Sequence, residues 1–534
     1  MPDLIHQFIS HSARVAPDSP ALLFKDQTFT YTQLQQQVEA VSNALLDLGV
    51  GAGERVAVYL PKQPETVFSL FGAAAAGACF VPINPLLKPR QLGHILPHCN
   101  VRVLVTSAPR LESLQSVLTA CPDLHTVVLL EDQIPECANE LPQKLISYGE
   151  FCRSSRGNRT PHRRIDTDMT AILYTSGSTG SPKGVVLSHR NMVAGAHSVA
   201  SYLGHTPDDR LLAVLPLSFD AGLSQLTTAF SVGASVVLMD YLLPRDVIRA
   251  VARYGVTGLA AVPPLWNQLK DLEWPTAAVQ SLRYITNTGG AMPVSTTRAL
   301  QQTLPDTLIF LMYGLTESFR STYLPPEQVN SRPESMGKAI PNADIFVIGE
   351  DGRECGPDEP GELVHRGALV SLGYWNDPEK TAARFKPCPL HPIEIPNTEL
   401  AVWSGDQVVK DEEGYLYFVS RKDDMIKTSG YRVSPTEVEE IAYACGLVAS
   451  AAALGLPHAA LGQAILLLVT PAADNSVDTD LEDAVLAHCR RELPNFMVPT
   501  TVIGRDTLPH NQNGKIDRRA LAEEYSDLFR DGSS

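Results

Sequence analysis

Residues 174–184 read YTSGSTGSPKG and directly continue the apolar run AILY at residues 171–174. This order predicts a buried strand that ends in a glycine-rich loop. Glycine permits positive φ angles and close backbone approach, so consecutive N–H groups can point at an anion, and Lys183 adds a charge suited to phosphate. The spacing matches neither the GxxxxGK[ST] loop nor the GxGxxG loop. The segment therefore predicts a phosphate-binding loop of a different kind.

The composition is that of an ordinary globular protein with an excess of acidic residues. The 534 residues are 44% hydrophobic and 19% charged, and this length predicts more than one lobe. A formal net charge of −16 argues against a nucleic-acid or anionic-membrane partner. The nine cysteines are scattered without a CxxC pair, which is typical of reduced thiols. Because the amino terminus lacks a signal-peptide pattern and no apolar run reaches membrane length, we expect a cytoplasmic protein without a membrane span.

Strand and helix patterns alternate up to about residue 340. The predicted strands are residues 55–60, 101–106, 126–130, 211–217, 234–239, 282–286 and 308–314. Helix-length segments separate them, including one for which Thr32 is the expected N-cap. This alternation predicts an α/β fold built from layered, largely parallel sheets.

The pattern changes in the last third of the chain. Short β-like runs flank acidic turns with glycine at residues 344–355 and 408–419, which predicts a β-rich subdomain made of hairpins. Ser434, Pro435 and Glu437 have the spacing of an N-cap, a first helical residue and a capping-box partner. A helix is expected to begin there and to open a small α+β domain of about 110 residues.

Six segments with nucleotide-binding residue types occur in order along the chain. They are YTSGSTGSPKG (174–184), LPLSFDAG (215–222), TGGAMP (288–293), YGLTE (313–317), SGD (404–406) with RKDDMIKTSGYRVSPTEVE (421–439), and NGKIDR (513–518). Together they resemble the acyl-adenylate-forming superfamily, which includes acyl-CoA synthetases, peptide-synthetase adenylation domains and firefly luciferase. Within it, the chain is most similar to bacterial AMP-forming acyl-CoA ligases. The resemblance implies an N-terminal domain over residues 1–420 for ATP and acid, a hinge at 421–424, and a small mobile C-terminal domain at 425–534.

The resemblance also implies a role for each matching residue. The implied ATP or AMP contacts are Thr175, Ser176, Gly177, Ser178, Thr179, Gly180, Lys183, Gly289, Gly290, Ala291, Tyr313, Gly314, Asp406, Phe418, Arg421 and Arg432. The implied catalytic residues are Lys515, Thr316 and Glu317, with Glu317 also binding Mg²⁺. The implied acid pocket consists of Phe219, Asp220, Leu223, Val262, Pro263 and Thr288. Asp423 is implied as the hinge residue, and Gly430 as a wall of the tunnel for the incoming thiol.

The implied activity is a two-step ligation. A carboxylic acid and ATP form acyl-AMP and pyrophosphate, and CoA then displaces AMP to give a thioester. The alternative acceptor is the phosphopantetheine of an acyl or peptidyl carrier protein, with an amino or other acid as substrate. The sequence leaves open whether the protein forms a homodimer. A regulatory protein that only binds adenylates is disfavoured, because it would have no chemical need for Lys183, Glu317, Asp406, Arg421 and Lys515 together.

Asp220 departs from the pattern of many acyl-CoA synthetases, which carry His after the phenylalanine of this segment. An aspartate there resembles the adenylation domains that activate amino acids, where it pairs with the substrate ammonium group. It is equally compatible with a helix N-cap or a structural ligand in an enzyme for an uncharged acid. The sequence leaves both interpretations open.

Overall fold

The computed structural model describes residues 2–135, 141–153, 159–175, 182–392, 394–421, 426–428, 431–458, 461–472, 479–493, 495–511 and 515–529. The helices are α1 (Gln7–Val15), α2 (Tyr31–Asp47), α3 (Pro64–Ala76), α4 (Pro89–His98), α5 (Ala108–Thr119), α6 (Tyr148–Arg153), α7 (His189–Leu203), α8 (Asp220–Val232), α9 (Pro244–Tyr254), α10 (Pro263–Leu269), α11 (Thr276–Ser281), α12 (Val294–Thr303), α13 (Pro378–Arg384), α14 (Pro435–Ala444), α15 (Thr479–Glu492) and α16 (Arg518–Glu524). Short 3-10 helices span Thr316–Ser318, Pro326–Gln328 and Asn495–Met497.

The strands form three sheets. They are β1 (Pro20–Phe24), β2 (Gln27–Thr30), β3 (Arg55–Val58), β4 (Cys79–Pro82), β5 (Val101–Thr106), β6 (Thr126–Leu129), β7 (Lys144–Ser147), β8 (Met169–Thr175), β9 (Lys183–Ser188), β10 (Arg210–Ala213), β11 (Ser235–Leu238), β12 (Gly258–Ala261), β13 (Tyr284–Asn287), β14 (Leu308–Tyr313), β15 (Thr322–Leu324), β16 (Ser335–Ala339), β17 (Ala343–Ile348), β18 (Gly361–Gly367), β19 (Phe385–Pro387), β20 (Leu400–Lys410), β21 (Leu416–Arg421), β22 (Ile426–Thr428), β23 (Tyr431–Val433), β24 (Val448–His458), β25 (Gly462–Pro471) and β26 (Thr501–Gly504).

The first sheet holds the predicted phosphate loop. Its order is β7-β6-β5-β3-β4-β8-β9, with parallel pairs throughout except for the antiparallel pair β8 and β9. Thr175 at the end of β8 pairs with Lys183 at the start of β9. The two ends of the glycine-rich segment are therefore held side by side by a β-ladder.

The second sheet positions most of the other motifs. Its strands β11, β10, β12, β13 and β14 are parallel, and the antiparallel strands β15, β16, β21, β20, β18 and β17 extend it. Because the carboxyl ends of parallel strands meet at one edge, the segments after β12, β13 and β14 lie together there. The antiparallel extension is the predicted β-rich subdomain, and it brings Asp406 on β20 to the same sheet.

The third sheet belongs to the C-terminal part of the chain. Strands β23, β22, β25 and β24 are antiparallel, and β26 joins β25 in parallel. Val438 and Ala442 of α14 and Val485 of α15 pack with Leu467 of β25 in a core of their own. The predicted fold class, α/β layers with a β-rich subdomain and a small α+β unit, is confirmed.

Two expected helix caps differ from the structure. The N-cap of α2 is Thr30, which forms a reciprocal capping box with Gln33, and Thr32 instead donates its hydroxyl to the carbonyl of Pro17. Ser434 is the N-cap of α14 and Pro435 its first residue, as expected, but the Ser434 hydroxyl bonds to the carbonyl of Val419. The helix start is thus tied to β21 rather than capped by its own side chain.

Within the described residues, every helix falls short of the length and apolar character needed to cross a bilayer. The predicted division at residues 421–424 stays a prediction, because residues 422–425 lie outside the described part of the chain.

Candidate active site

Glu317 and Lys183 form a buried ion pair at the centre of the predicted ATP site. Lys183 donates from Nζ to Glu317 Oε1 at 3.0 Å, and the two side chains are only 18% and 8% exposed. Tyr374 joins them, because its hydroxyl accepts from Lys183 Nζ at 2.7 Å and donates to Glu317 Oε1 at 2.5 Å. The lysine beside the phosphate loop and the carboxylate expected to bind the metal are therefore held by one tyrosine.

The charges around Glu317 keep it ionised. Burial acts to raise the pKa of Glu317, but Lys183 and the Tyr374 hydroxyl outweigh it and hold the pKa below its usual value. Burial and the neighbouring carboxylate of Glu317 raise the pKa of Tyr374 well above its usual range. Tyr374 consequently stays protonated and remains a donor to Glu317.

Arg384 supplies a second positive charge behind this pair. Its guanidinium donates to the carbonyl of Trp403 at 2.9 Å and interacts with Tyr374, Glu317 and Asp406. Burial acts to lower the pKa of Arg384, but these acidic neighbours raise it overall. The guanidinium thus links the metal-site carboxylate to the segment that carries Asp406.

Neither Tyr374 nor Arg384 was among the sequence-predicted site residues. Both lie in the segment GYWNDPEKTAARF at 373–385, between two of the quoted motifs. The adjacent aromatic residues Tyr374 and Trp375 were the available signal, and such a pair does not indicate a nucleotide site by itself. Their place is decided by contacts with Glu317, which is 57 residues from Tyr374.

Asp406 and Tyr313 meet where the ribose and adenine contacts are expected. The Tyr313 hydroxyl donates to Asp406 Oδ2 at 2.5 Å, and the Asp406 amide is fixed by Ser404 Oγ at 3.0 Å. Phe418 packs in the same apolar cluster as Tyr313. Arg421 faces Asp406 in the pairing of β20 and β21. Four of the residues assigned to the nucleotide therefore lie together.

The loop after β13 forms an open backbone surface beside this group. The Asn287 side chain donates to the carbonyl of Gly290 at 2.9 Å and fixes the loop. Gly289 has φ +81, a conformation that favours glycine, and both Gly290 and Ala291 are exposed. The implied contact of these three residues with an adenine ring stays a prediction.

Lys515 reaches the same edge of the sheet from the C-terminal part of the chain. A Cβ at Gly289 would lie 3.7 Å from Lys515 Cε, 3.3 Å from Val262 Cγ1 and 4.0 Å from the edge of Phe219. The backbone of Lys515 is held in a turn by Asn511, whose side chain accepts from the Lys515 amide at 3.1 Å. Lys515 thus lies against residues predicted to line the acid pocket.

The pocket residues fall into two groups. Phe219, Val262 and Pro263 surround the Gly289–Gly290 loop, and Thr288 is buried with its amide bonded to Ala261. Leu223, in contrast, is fully buried in the core around α7 and α8.

Asp220 is the first residue of α8, while the N-cap position is occupied by Phe219. The Asp220 carboxylate is buried and contacts Arg320 Nη1 at 3.3 Å. Gly222 permits this helix start, because a Cβ there would lie 1.9 Å from the carbonyl oxygen of Pro216. The structure thus gives Asp220 a protein partner, and the choice between its two interpretations stays a prediction.

Comparison with known proteins agrees with this geometry. The family model "AMP-binding enzyme" matches residues 9–375, and "AMP-binding enzyme C-terminal domain" matches residues 437–515. This chain belongs to the AMP-binding enzyme family. The resemblance stated from the motifs and the enzymatic nature of the chain are thereby confirmed.

Individual relatives of the AMP-binding enzyme fall in two groups. The long-chain-fatty-acid–CoA ligase of Escherichia coli O157:H7 is 30% identical over 98% of this chain and 94% of the relative. The L-proline–[L-prolyl-carrier protein] ligase of Streptomyces coelicolor is 33% identical over 96% of this chain and 94% of the relative. Among solved structures, the anthranilate CoA ligase AuaEII in complex with anthranoyl-AMP has a TM-score of 0.87 and 25% identity, and the match covers 99% of this chain and 98% of that one. The reaction class expected from the motifs, formation of an acyl-AMP followed by a thioester, agrees with these relatives.

Several predicted site residues of the AMP-binding enzyme lie outside the described part of the chain. They are Ser176, Gly177, Ser178, Thr179, Gly180, Asp423 and Gly430. Arg421 and Arg432 belong by their backbone to β21 and β23, but their side chains are not described. The roles of these residues stay predictions.

The donor set of the AMP-binding enzyme fits Mg²⁺ bound together with a nucleotide. Mg²⁺ in phosphoryl sites is usually held by one or two carboxylates plus substrate phosphates. Glu317 offers one buried, ionised carboxylate, and no group of three or more His, Cys, Asp or Glu side chains suited to a metal occurs among the described residues. Thr175, which pairs with Lys183 across β8 and β9, has a buried Oγ1 without a hydrogen-bond partner within the described ranges. These residues fit an ion that arrives with ATP rather than a preformed metal cage.

Proposed function

We propose that this AMP-binding enzyme is an AMP-forming acyl-CoA ligase. The observation that carries the proposal is the grouping of three sets of residues. They are the Lys183–Glu317 pair, the Asp406–Tyr313 pair, which Arg384 links to Glu317, and Lys515, which acts on Asp220 together with Glu317. They supply, in turn, contacts for phosphates, for a ribose and for the reacting carboxylate. Such a combination suits the transfer of an adenylyl group to an acid.

In the first step a carboxylate oxygen of the acid attacks the α-phosphorus of ATP. The new O–P bond forms as the bond from the α-phosphorus to the bridging oxygen of pyrophosphate breaks, and no proton is transferred. Lys183 and Mg²⁺ bound at Glu317 would neutralise the leaving pyrophosphate. Lys515 would lie beside the two approaching anions, where a cation lowers the barrier by stabilising the charge that develops.

In the second step the thiolate of the acceptor attacks the carbonyl carbon of the acyl-AMP. The C–S bond forms, the C–O bond to AMP breaks, and the proton of the thiol is released to solvent. Because Lys515 fills the acid side of the site in the structure, the thiol needs room that a rotation of residues 425–534 about 421–424 would make. Asp423 is the proposed pivot and Gly430 a proposed wall of the thiol path.

CoA is the proposed acceptor because fatty-acid and aryl CoA ligases occur among the relatives in both sequence and structure. The carrier-protein alternative also has support, since the Streptomyces coelicolor ligase for L-proline and its carrier protein is 33% identical over nearly the whole chain. A cytoplasmic location, a homodimer and the use of Mg²⁺ are part of the same proposal.

The test separates the two half-reactions. ATP–pyrophosphate exchange is first measured over fatty, aryl and amino acids to find an acid that is activated. Thioester formation is then measured with that acid, offering CoA and a phosphopantetheinylated carrier protein in parallel. CoA thioester at multiple turnovers supports the proposal. Exchange without CoA thioester, but with loading of a carrier protein, would replace it by the alternative.

A further inference from the structure

Asp220 and Arg320 form a buried ion pair next to the predicted acid pocket. Asp220 Oδ2 lies 3.3 Å from Arg320 Nη1, and the side chains are 5% and 4% exposed. The two residues are 100 positions apart, and Arg320 follows the 3-10 helix that carries Glu317. No sequence motif assigns a role to Arg320.

The pair lies close to the reacting groups. The charged groups that act on Asp220 include Arg320, Lys515 and Glu317. Phe219, the residue directly before Asp220, approaches the same Gly289 position as Lys515. A carboxylate substrate that contacts Lys515 therefore has the Asp220–Arg320 pair as a neighbour.

The backbone on both sides holds the pair in place. Arg320 Nη1 also donates to the carbonyl of Phe319 at 3.0 Å. Phe319 adopts φ +58, a conformation that L residues rarely take, and its ring packs where Gly195 leaves space. Asp220 is held by the rigid start of α8, since Gly222 fits directly against Pro216. The backbone positions of both residues are therefore fixed by their own contacts, independently of the ion pair.

The charge of Asp220 is consequently already balanced inside the protein. Burial raises the pKa of the Asp220 carboxyl, and Arg320 opposes this rise. A substrate ammonium group next to Asp220 would share the Asp220 carboxylate with the Arg320 guanidinium. The ammonium group would also lose its bound water on entering this buried position. Burying a charge without a partner of its own is strongly unfavourable. An acid without an ammonium group avoids that cost.

We propose that Arg320 is the permanent counter-ion of Asp220. We propose that the site therefore selects carboxylic acids that carry no ammonium group on the carbon next to the carboxylate. This inference rests on the proposed function and specifies its substrate class. It assigns Arg320 as a specificity-determining residue. It also assigns Asp220 to the pocket wall rather than to an ammonium site.

The first test uses the full-length wild-type enzyme and matched pairs of acids. Two pairs differ only by an α-amino group: octanoic and 2-aminooctanoic acid, and 3-phenylpropanoic acid and phenylalanine. In the third pair, a ring CH₂ of cyclopentanecarboxylic acid is replaced by the ring amine of proline. ATP–pyrophosphate exchange is expected to be at least tenfold faster with the member that lacks the amine, in every pair that reacts. A preference for an α-amino acid would overturn the inference and leave the adenylation chemistry intact. Exchange with no acid of any class would overturn the proposed function and the inference with it.

The second test changes the charges. Arg320→Met leaves Asp220 without its counter-ion. The ratio of the exchange rate with the amine-free acid to the exchange rate with its amino analogue is therefore expected to fall at least tenfold. Arg320→Met combined with Asp220→Asn removes both charges and is expected to restore the ratio to within threefold of wild type. An unchanged ratio in the folded single variant would overturn the inference, because a purely structural pair would alter rates for both acids equally.

A matched control pair exists elsewhere in the chain. Arg283 pairs with the buried Asp209 at 2.9 Å, away from the residues of the candidate site. Arg283→Met is expected to lower the melting temperature while leaving the ratio of the two acids unchanged. If Arg320→Met does not fold, the matched acids on the wild-type enzyme still decide the substrate class.

Discussion

Replacing Tyr374 by Phe tests whether one hydroxyl organises the ATP site. The substitution removes the donor to Glu317 at 2.5 Å and the acceptor for Lys183 at 2.7 Å, while the ring that stacks below Lys183 stays. A hydrogen bond to a charged group contributes about 1.5–3 kcal/mol. A loss of about 2 kcal/mol in binding the nucleotide transition state corresponds to about 30-fold in rate. We expect this loss in kcat/KM for MgATP.

The pH dependence gives the Tyr374→Phe variant a second signature. Tyr374 helps to hold the pKa of Glu317 below its usual value. Without this donor the pKa of Glu317 rises, so protonation inactivates the metal site at a higher pH. The acidic limb of kcat/KM for MgATP is therefore expected to move upward, and more Mg²⁺ is needed for half-maximal exchange.

The measurement is ATP–pyrophosphate exchange at varied ATP, Mg²⁺ and pH, with the acid saturating. Tyr31→Phe is the matched control, because Tyr31 is fully buried and its hydroxyl donates to the carbonyl of Ala234 at 2.7 Å, far from the nucleotide residues. Tyr31→Phe is expected to lower the melting temperature and leave the kinetics unchanged. If Tyr374→Phe behaves in the same way, with the KM for ATP within threefold of wild type, the reasoning about Glu317 is wrong.

Three further predictions concern other parts of the molecule. Lys515→Ala is expected to slow acyl-AMP formation at least about 100-fold, because loss of one group that stabilises transition-state charge has an effect of this size. Thioester formation from supplied acyl-AMP should be affected much less. Equal losses in both half-reactions would contradict this. Gly222→Ala places a methyl group 1.9 Å from the carbonyl oxygen of Pro216 and is expected to destabilise the fold by about 3 kcal/mol, measured by chemical denaturation. Burial lowers the pKa of His365 to about 3 in the folded state. Between pH ~6.5 and this value only the unfolded state is protonated. The free energy of unfolding should therefore fall by up to ~1.4 kcal/mol for each unit by which the pH decreases in that range. His365→Asn should remove this share of the acid sensitivity, and a melting-temperature profile identical to wild type would refute the assignment.

The strands that the sequence predicted are short apolar runs between turn residues, although the prediction at 211–217 extends four residues beyond β10. The predicted strand at 101–106 is β5 without change, and the prediction at 308–314 differs from β14 by one residue. Helix starts were less predictable, since several hydroxyl residues compete for one N-cap. Thr30 occupies that position for α2 because Gln33 completes the capping box with it. Thr32 lies two residues after the N-cap position and bonds to Pro17 instead.

The nucleotide site was predictable as a set of residues but not as a set of contacts. The motifs named Glu317, Lys183, Asp406 and Tyr313, and the structure places them in two pairs. The structure adds Tyr374, a partner that lies outside every motif. The sequence could not identify it, because most tyrosines in polar segments have no role in a binding site. Only its distance to Glu317 distinguishes this one.

The sequence by itself determined the reaction class, because six motifs in the order of one superfamily can be read directly from the order of residues. The tertiary structure alone decided how their charges are balanced. Lys183 meets Glu317 across 134 residues, and Asp220 meets Arg320 across 100. Electrostatic energy depends on distance in space and on burial, and neither quantity can be read from the order of residues. For this reason the meaning of Asp220 depended on Arg320, a residue that the sequence left without a role.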